Sequence, residues 1–311
     1  MKAKQYNQPF VSILIPNYNH ARFLDQRLQS VLNQTYQNFE VIILDDCSTD
    51  NSLEVIEKYR HNPHIREVVM SKHNSGSPFK QWNKGIRLAN GDLIWIAESD
   101  DYCDKTLLME LVSAFLKYPD TVVAFSSYVQ VFDDGSFRMN KIRKNQYYNG
   151  KAFVKKWMSM QCVIMNASGA IFSKKAALNV PLTFTEYKGC GDYLFWTQIS
   201  EQGHVAYVPQ NLTSFRIHSD AITPRNYSSG NEAVENAKVF QYINTKYNLS
   251  WFQKEKVYAY KTKAYRFGQY DNDEAKKLAH SAWEIGNRNI LIGTFLVWSF
   301  FKLQKHCGIL L

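Results

Sequence analysis

The sequence has few cysteines and lacks the spacing that gives cysteine a structural role. Its 311 residues include five cysteines, an odd number, and none of them forms a Cys-x-x-Cys pair. This pattern argues against a disulfide framework or a zinc knuckle and predicts a reducing compartment. Residues 1–6 contain no apolar run, so we expect no secretory signal and a cytoplasmic location.

Several nucleotide-binding motifs are also absent. The chain has no Gly-x-x-x-x-Gly-Lys-Ser/Thr loop and no Gly-x-Gly-x-x-Gly segment, so neither P-loop nor dinucleotide binding is supported. Enzymes that make sugar nucleotides need a glycine-rich, basic loop after their first strand, and this sequence has Pro-Asn-Tyr-Asn there. We find no nucleic-acid-binding module and expect no nucleic-acid partner.

The composition is that of a globular protein with a regional excess of positive charge. Hydrophobic residues make up 45% and charged residues 21%, which excludes a disordered or fibrous chain. The net charge of +9 is concentrated in residues 137–156, with seven basic and no acidic residues, and in residues 226–311, with twelve basic and seven acidic residues. These regions sum to +12, so the rest of the chain is slightly acidic. The basic regions favour an anionic partner.

Short apolar runs alternate with helical spacings over the first 125 residues. This alternation predicts right-handed βαβ units and an α/β fold with a mostly parallel sheet flanked by helices. The predicted strands lie at 10–15, 39–44, 65–70, 93–97 and 121–125, and the helices at 21–32, 50–59, 79–89 and 105–117. Further strands are expected at 129–132, 170–172 and 205–208, and further helices at 153–160, 193–202 and within 232–287.

Acidic and aromatic residues follow three of the predicted strands. They are Pro-Asn-Tyr-Asn at 16–19, Asp-Asp-Cys-Ser at 45–48 and Glu-Ser-Asp-Asp at 98–101. Ligands of open parallel sheets bind beyond the carboxyl ends of the strands, so we expect these residues to share one edge. Carboxylates so close repel one another unless a cation is present, and all-oxygen ligands favour Mg²⁺ or Mn²⁺. Each acidic pair alone could instead cap a helix.

Four segments in this order resemble family 2 glycosyltransferases, which have the GT-A fold. They are SILIPNYN at 12–19, SVLNQTY at 30–36, VIILDDCSTD at 41–50, and NGD at 90–92 leading to a DXD-type element that ends at Asp101. The last of these departs from the pattern, because Glu98 stands where many relatives have the first Asp.

The resemblance is close to about residue 125 and looser to about 225. It implies a GT-A (Rossmann-like) catalytic domain at 1–225, with a nucleotide-sugar-binding half at 1–125 and an acceptor-binding half at 126–225. We expect a helical C-terminal extension at 226–311.

The resemblance also implies roles for particular residues. Tyr18 would lie against the nucleotide base, and Asp46 would accept a hydrogen bond from a base imide N–H, which suits uracil, thymine or guanine. Of these we favour a UDP-sugar donor. The full set implied for nucleotide-sugar binding is Pro16, Tyr18, Asn19, Asp46, Asn83, Asp100 and Arg216.

A divalent metal, Mn²⁺ or Mg²⁺, is implied as the cofactor. Its expected ligands are Asp101, Asp100, Glu98 and His218. His218 belongs to a segment that is similar to the Arg-x-His segment of the family. A lone histidine, however, often has a structural role. Glu98 is one methylene longer than the usual Asp.

Asp192 is the expected catalytic base. It matches the second residue of a Glu-Asp pair in relatives, whose first residue is replaced here by Gly191. Such a carboxylate can take the acceptor hydroxyl proton while the nucleoside diphosphate leaves, and inverting displacement needs one base of this kind. The alternatives are that Asp192 caps a helix, or that Glu186 is the base.

These features predict an inverting, metal-dependent, hexosyl-type glycosyltransferase. It would extend a glycan or lipid-linked glycan acceptor at a hydroxyl group in cell-surface polysaccharide synthesis. The alternative is a non-catalytic sugar-nucleotide or glycan-binding module that retains the fold, and Gly191 and Glu98 support it.

The apolar segment at 290–301, ILIGTFLVWSFF, is too short to span a bilayer as a helix. It could pack on the core, or residues 290–311 could hold the protein peripherally at the inner face of the cell membrane. The basic stretch at 137–156 could face the same membrane or an anionic acceptor, or be a solvated surface. The sequence predicts no oligomeric state.

Overall fold

A computed structural model describes residues 8–118, 120–140, 146–218 and 222–285. The chain forms two compact units, each built from several segments. The first comprises Met1–Gly150, Ile164–Glu186 and Gln198–His218, and the second Lys151–Val163, Tyr187–Thr197 and Ser219–Leu311. The second unit thus combines two earlier segments of the chain with its C-terminal helices.

Within the described residues, the first unit contains a ten-stranded sheet. The strands are β1 (Val11–Asn17), β2 (Phe39–Asp45), β3 (Ile65–Met70), β4 (Leu93–Ile96), β5 (Tyr102–Cys103), β6 (Thr121–Phe132), β7 (Phe137–Met139), β8 (Gln146–Asn149), β9 (Ala170–Ser173) and β10 (His204–Ile217). Their order is β3-β2-β1-β4-β9-β6-β10-β5, with β7 paired to β6 and β8 paired to β10.

The helices occur between and after these strands. In chain order they are α1 (Ala21–Leu32), α2 (Ser52–Glu57), α3 (Pro78–Leu88), α4 (Leu107–Lys117), α5 (Gly150–Phe153), α6 (Lys174–Leu178), α7 (Gly191–Ser200), α8 (Ile222–Ser228), α9 (Asn231–Tyr247), α10 (Trp251–Arg266) and α11 (Asp273–Ala282). The described residues also form a π-helical turn at Val154–Met158 and 3₁₀ turns at Ala167–Gly169 and Leu182–Glu186.

The α/β fold with a large sheet and a C-terminal helical region is confirmed. The mostly parallel arrangement holds for β3, β2, β1 and β4. Beyond β4 the sheet is mixed, because β9 runs antiparallel to both β4 and β6, while β10 is parallel to β6. The expected strands at 121–125 and 129–132 are one twelve-residue strand, β6.

The core of the first unit lies on both faces of the central strands. Every residue of β1 and β2 is buried, as the nearly continuous apolar run at 39–44 predicts for a strand covered on both sides. On α1, Leu24, Leu28 and Val31 form the buried face, and their spacing is that of an amphipathic helix.

Strand register brings the ends of β1, β2 and β4 to one edge. Asn17 pairs with Asp45 at the last positions of β1 and β2, and Leu14 pairs with Ile96 at the end of β4. Parallel strands end on the same side, so the loops that follow them converge there.

The second unit has an aromatic helical core. Trp283 is fully buried, its Nε1 donates to the Ala233 carbonyl oxygen at 2.9 Å, and its ring packs near Phe240 and Tyr258. Among the described residues, no helix combines the length and apolar character needed to cross a membrane. The expected anchor at 290–311 and part of the basic stretch, 141–145, lie outside the described residues.

Candidate functional site

Asp45 organises the loops that follow β1 and β2. Its fully buried carboxylate accepts hydrogen bonds from Asn17 Nδ2 at 2.8 Å and from Ser48 Oγ and N at 2.7 and 2.8 Å. Asn19, at a φ of 55°, accepts from Thr49 N at 2.7 Å and donates its own N–H to Ser48 Oγ. These bonds fix the two loops against each other.

Two other predicted donor-site residues flank Asn17 along β1 and the loop after it. Pro16 lies within β1, opposite Leu44 of β2. Tyr18 follows the strand with 45% of its surface exposed. An exposed aromatic ring at the carboxyl edge of the sheet can stack on a planar base.

Asp46 is held by Ser75 and Gln81, two residues that the sequence analysis did not single out. Its carboxylate accepts from Ser75 N at 3.0 and 2.9 Å, from Ser75 Oγ at 2.7 Å, and from Gln81 Nε2 on α3. Asn83, on the same helix, accepts from Arg87 Nε at 3.3 Å. The side chain of Asp46 is therefore fixed in direction before any ligand binds.

Glu98 is half-buried in the loop that follows β4. Its Oε1 accepts from Trp82 Nε1 at 2.8 Å. Burial, reinforced by the negative charges of Asp100 and Asp101, raises the pKa of Glu98 to about 8. A carboxyl group with this pKa is mostly protonated at neutral pH.

Asp101 is tied to a buried arginine. Its Oδ2 accepts from Ser168 Oγ at 2.7 Å and lies 3.8 Å from Arg27 Nη2, while Oδ1 accepts from the Arg216 N–H at 3.0 Å. Burial, with the charge of Asp100, raises the pKa of Asp101 to about 6 despite Arg27.

Arg27 contacts both ends of the acidic segment at 98–101. Fully buried on α1, it donates from Nε to the Glu98 carbonyl oxygen at 2.8 Å and from Nη2 to Ser168 Oγ at 2.9 Å. Sequence reasoning missed Arg27 and Ser168. The only signal for Arg27 was its place within the apolar face of α1, between Leu24 and Leu28.

His218 meets Asp100 where β10 ends. Its Nε2 lies 3.1 Å from Asp100 Oδ2, and His20 completes a group whose ligand atoms all lie within 4.8 Å of one another. His20 also lies 2.8 Å from Ser99 Oγ through Nδ1. It was missed, although it directly follows the Pro-Asn-Tyr-Asn segment.

The pKa shifts of His20 and Asp100 favour metal binding. Burial lowers the pKa of His20. Burial alone would raise the pKa of Asp100, but the hydrogen bond with His218 and the charges of both histidines lower it. Neutral imidazole and ionised carboxylate are the forms that ligate metals. The donor set of one carboxylate and two imidazoles fits Mn²⁺ better than Mg²⁺, which prefers oxygen alone.

Arg216 places a positive charge beside the acidic segment. Its guanidinium donates to the Asp100 carbonyl oxygen and to Gln26 Oε1, and lies 4.7 Å from the Phe23 ring centre and 4.8 Å from that of Tyr102. These contacts fix an arginine that can face phosphate oxygens.

Asp192 belongs to the second unit, whereas the other predicted site residues belong to the first. It is the second residue of α7, in the first turn of the helix. Burial, with the charges of Glu232 and Glu235, raises the pKa of Asp192 to about 7. Glu186, the alternative base, is an exposed residue of a 3₁₀ turn in the first unit.

Comparison with known protein families shows which family this chain belongs to. The family model described as "Glycosyl transferase family 2" matches residues 12–177, more than half of the chain. The chain belongs to glycosyl transferase family 2. The family resemblance inferred from the sequence is thereby confirmed.

Two curated relatives illustrate how far the similarity extends. An uncharacterized glycosyltransferase of Haemophilus influenzae is 25% identical over 260 residues, 78% of this chain and 76% of the relative. The poly(ribitol-phosphate) beta-N-acetylglucosaminyltransferase TarS of Staphylococcus aureus is 36% identical over 107 residues, 34% of this chain. That match covers only 18% of TarS.

Solved structures share the fold of this glycosyltransferase. S. aureus TarS 1–349 in complex with UDP-GlcNAc gives a TM-score of 0.69 at 19% identity, covering 88% of this chain and 79% of that one. The mannosyltransferase PcManGT from Pyrobaculum calidifontis, in complex with GDP-Man and Mn²⁺, gives 0.53 at 17% identity, covering 96% and 81%. At these identities the likeness establishes the GT-A fold.

Proposed function

We propose that this family 2 glycosyltransferase moves a sugar from a nucleoside-diphosphate sugar, with a UDP-sugar as the favoured donor, to a hydroxyl of a glycan or lipid-linked glycan. The process it would serve is cell-surface polysaccharide synthesis. The observation that carries the proposal is the group formed by Asp100, His218 and His20 at the edge of the sheet, where fixed Asp46 and exposed Tyr18 also lie.

The donor would bind through Tyr18 and Asp46. Tyr18 offers an exposed ring for the base, and Asp46 offers a carboxylate whose direction is set by Ser75 and Gln81. Such a carboxylate can accept an imide N–H, as uracil presents. The TarS complex contains UDP-GlcNAc and the mannosyltransferase complex GDP-Man, which supports a nucleotide-sugar donor and leaves the nucleotide for experiment.

A divalent cation fits beside this donor site. Asp100, His218 and His20 would hold it, while Glu98 and Asp101, which bond to Trp82 and Ser168, would support the group around them. When bound, the cation neutralises the charge that develops on the departing diphosphate. The Arg216 side chain adds a fixed positive charge beside Asp100.

Asp192 would take the proton from the acceptor hydroxyl. A base works best when its pKa lies near the working pH, because it is then deprotonated yet still basic. The pKa of Asp192, about 7, meets this condition. One base of this kind is enough for a displacement that inverts the anomeric centre.

The expected acceptor-binding half, residues 126–225, contains one of the two basic regions of the sequence. Residues 137–156 contain seven basic and no acidic residues. TarS is named for transfer to poly(ribitol-phosphate), an anionic polymer. We extend the proposal to an anionic or lipid-linked acceptor, used by a protein that is peripheral at the inner membrane face through residues 290–311.

The test is radiolabel transfer from a panel of UDP-, GDP- and dTDP-sugars, with and without Mn²⁺. We expect transfer or donor hydrolysis with UDP-sugars that requires Mn²⁺. Release of label from no member of the panel would contradict the proposal.

A further inference from the structure

We propose that Glu235 is a positioning residue for Asp192, which holds the backbone before α7 in the conformation that presents the Asp192 carboxylate. This inference rests on the proposed function, in which Asp192 takes the acceptor proton. Both residues lie in the second unit, Glu235 on α9 and Asp192 at the start of α7.

Three consecutive backbone N–H groups converge on the Glu235 carboxylate. Lys188 N donates to Oε1 at 2.7 Å, and Gly189 N and Cys190 N donate to Oε2 at 3.0 and 2.8 Å. The Glu235 residue is only 8% exposed. Hydrogen bonds from backbone N–H groups to a buried carboxylate are among the strong ones, so the loop has one preferred conformation.

Because Glu235 accepts hydrogen bonds from these N–H groups, the loop is not available to bind a phosphate. Successive N–H groups that point inward form a nest, a common site for a phosphate or another anion. Here Glu235 is the anion in the nest. The loop at 188–190 is therefore a support for the residue that follows it rather than a subsite for the donor diphosphate.

Two other side chains of the second unit, those of Asn226 and Asn236, contact the same loop. A Cβ on Gly189 would lie 1.9 Å from Asn226 Nδ2, so no larger residue fits there without displacement. Asn236, the neighbour of Glu235 on α9, donates to the buried Cys190 Sγ at 3.4 Å. Gly191, which directly precedes Asp192, has no side chain that could hold this loop in place. Side chains of α9 hold it instead.

Glu235 also acts on Asp192 through its charge. Burial is the main cause of the raised pKa of Asp192, and the negative charges of Glu232 and Glu235 add to it. Removal of the Glu235 charge should therefore lower the pKa of Asp192. A residue with only a structural role would not produce this change.

The first experiment measures unfolding free energy against pH and does not depend on activity. The pKa of folded Asp192, about 7, lies above its ordinary value near 4, so the folded state holds a proton that the unfolded state has lost. The contribution of Asp192 to stability thus falls as pH rises across that window and levels off above about 7. Comparison with Asp192→Asn isolates this contribution.

In a Glu235→Gln background we expect the same fall to level off at a lower pH. Glu274→Gln, which removes an exposed carboxylate of α11, is the matched control and should leave the curve unchanged. An Asp192 curve that levels off at the same pH in wild type and Glu235→Gln would overturn the proposal, even if Glu235→Gln is less stable throughout.

The second experiment measures kcat for sugar transfer with the UDP-, GDP- and dTDP-sugar panel. We expect Glu235→Gln to lower kcat by about 10- to 100-fold with little change in the KM for the donor. Gly189→Ala should lower kcat without moving the pH profile, because it displaces the loop and leaves the charge. Wild-type kcat and pH profile in Glu235→Gln would overturn the role of Glu235 while leaving the proposed function intact. Inactivity of the wild type would contradict the proposed function, and the stability experiment would still decide whether Glu235 acts on Asp192.

Discussion

His218 Nε2 lies 3.1 Å from Asp100 Oδ2, joining residues 118 positions apart in the sequence. The bond connects the end of β10 to the loop after β4. Arg216, two residues before His218, donates from its guanidinium to the Asp100 carbonyl oxygen and from its backbone N–H to the Asp101 carboxylate. The end of β10 is thus fixed on the acidic segment, where a cation would be held.

The metal assignment predicts a loss of Mn²⁺ affinity in two variants. Asp100→Asn and His218→Ala each remove one ligand, and we expect the Kd for Mn²⁺ to rise by at least about 10- to 100-fold. Calorimetric titration with MnCl₂ measures it. His61→Ala, which removes an exposed histidine, should bind as wild type does. Equal Mn²⁺ affinity in all four proteins would contradict the assignment.

Arg27 predicts a large effect on stability. Arg27→Met removes the guanidinium that bonds to Glu98 and Ser168 and leaves Asp101 buried without it. Removing one partner of a buried ion pair costs about 3–5 kcal/mol, which we expect in the free energy of unfolding from urea titration. Arg60→Met, at an exposed ion pair, is the control and should cost much less. A similar cost for both variants would contradict this role of Arg27.

Tyr18 predicts an effect on nucleotide affinity without one on stability. Stacking of a base on an aromatic ring contributes about 1–3 kcal/mol, so Tyr18→Ala should weaken UDP binding by about tenfold or more. Tyr18→Phe retains the ring and should bind UDP nearly as wild type does. The melting temperature of both should be unchanged, because Tyr18 is 45% exposed. Unaltered UDP affinity in Tyr18→Ala would show that the base lies elsewhere.

Much of the first unit could be predicted because its local patterns agree with its tertiary structure. The apolar run at 39–44 is the fully buried β2, and the helical spacing at 21–32 is α1. The mixed half of the sheet was less accessible. The position of β9 between β4 and β6 depends on pairing between residues far apart in the chain, which periodicity does not report.

The sequence predicted the site residues that follow strands, and it missed the buried residues that support them. Asp100 and His218 follow strands, where sequence reasoning looks for ligands, and the structure brings them together. Arg27 and Ser168 lie on a helix and in a 3₁₀ turn, and their role exists only through the contact with Asp101. His20 had a signal in its position beside Asn19.

The raised pKa of Asp192 predicts the pH dependence of sugar transfer. Asp192 acts as a base only when deprotonated, so kcat should rise with pH to about 7 and then reach a plateau. Initial rates measured from about pH 5 to pH 9 give the profile. A rate that is flat through this range, or that falls as pH rises toward 7, would contradict the assignment of Asp192.

The central claim is that this chain transfers sugar and does not only bind the donor. The most direct measurement is the rate of radiolabel transfer from the UDP-, GDP- and dTDP-sugar panel with Mn²⁺, for wild type and Asp192→Asn, alongside UDP binding by both. We predict transfer by the wild type, a loss of about 10²- to 10⁴-fold in Asp192→Asn, and equal UDP binding. Nucleotide binding without transfer or donor hydrolysis in the wild type would contradict the claim and indicate a binding module. Undiminished transfer by Asp192→Asn would refute the assignment of the base.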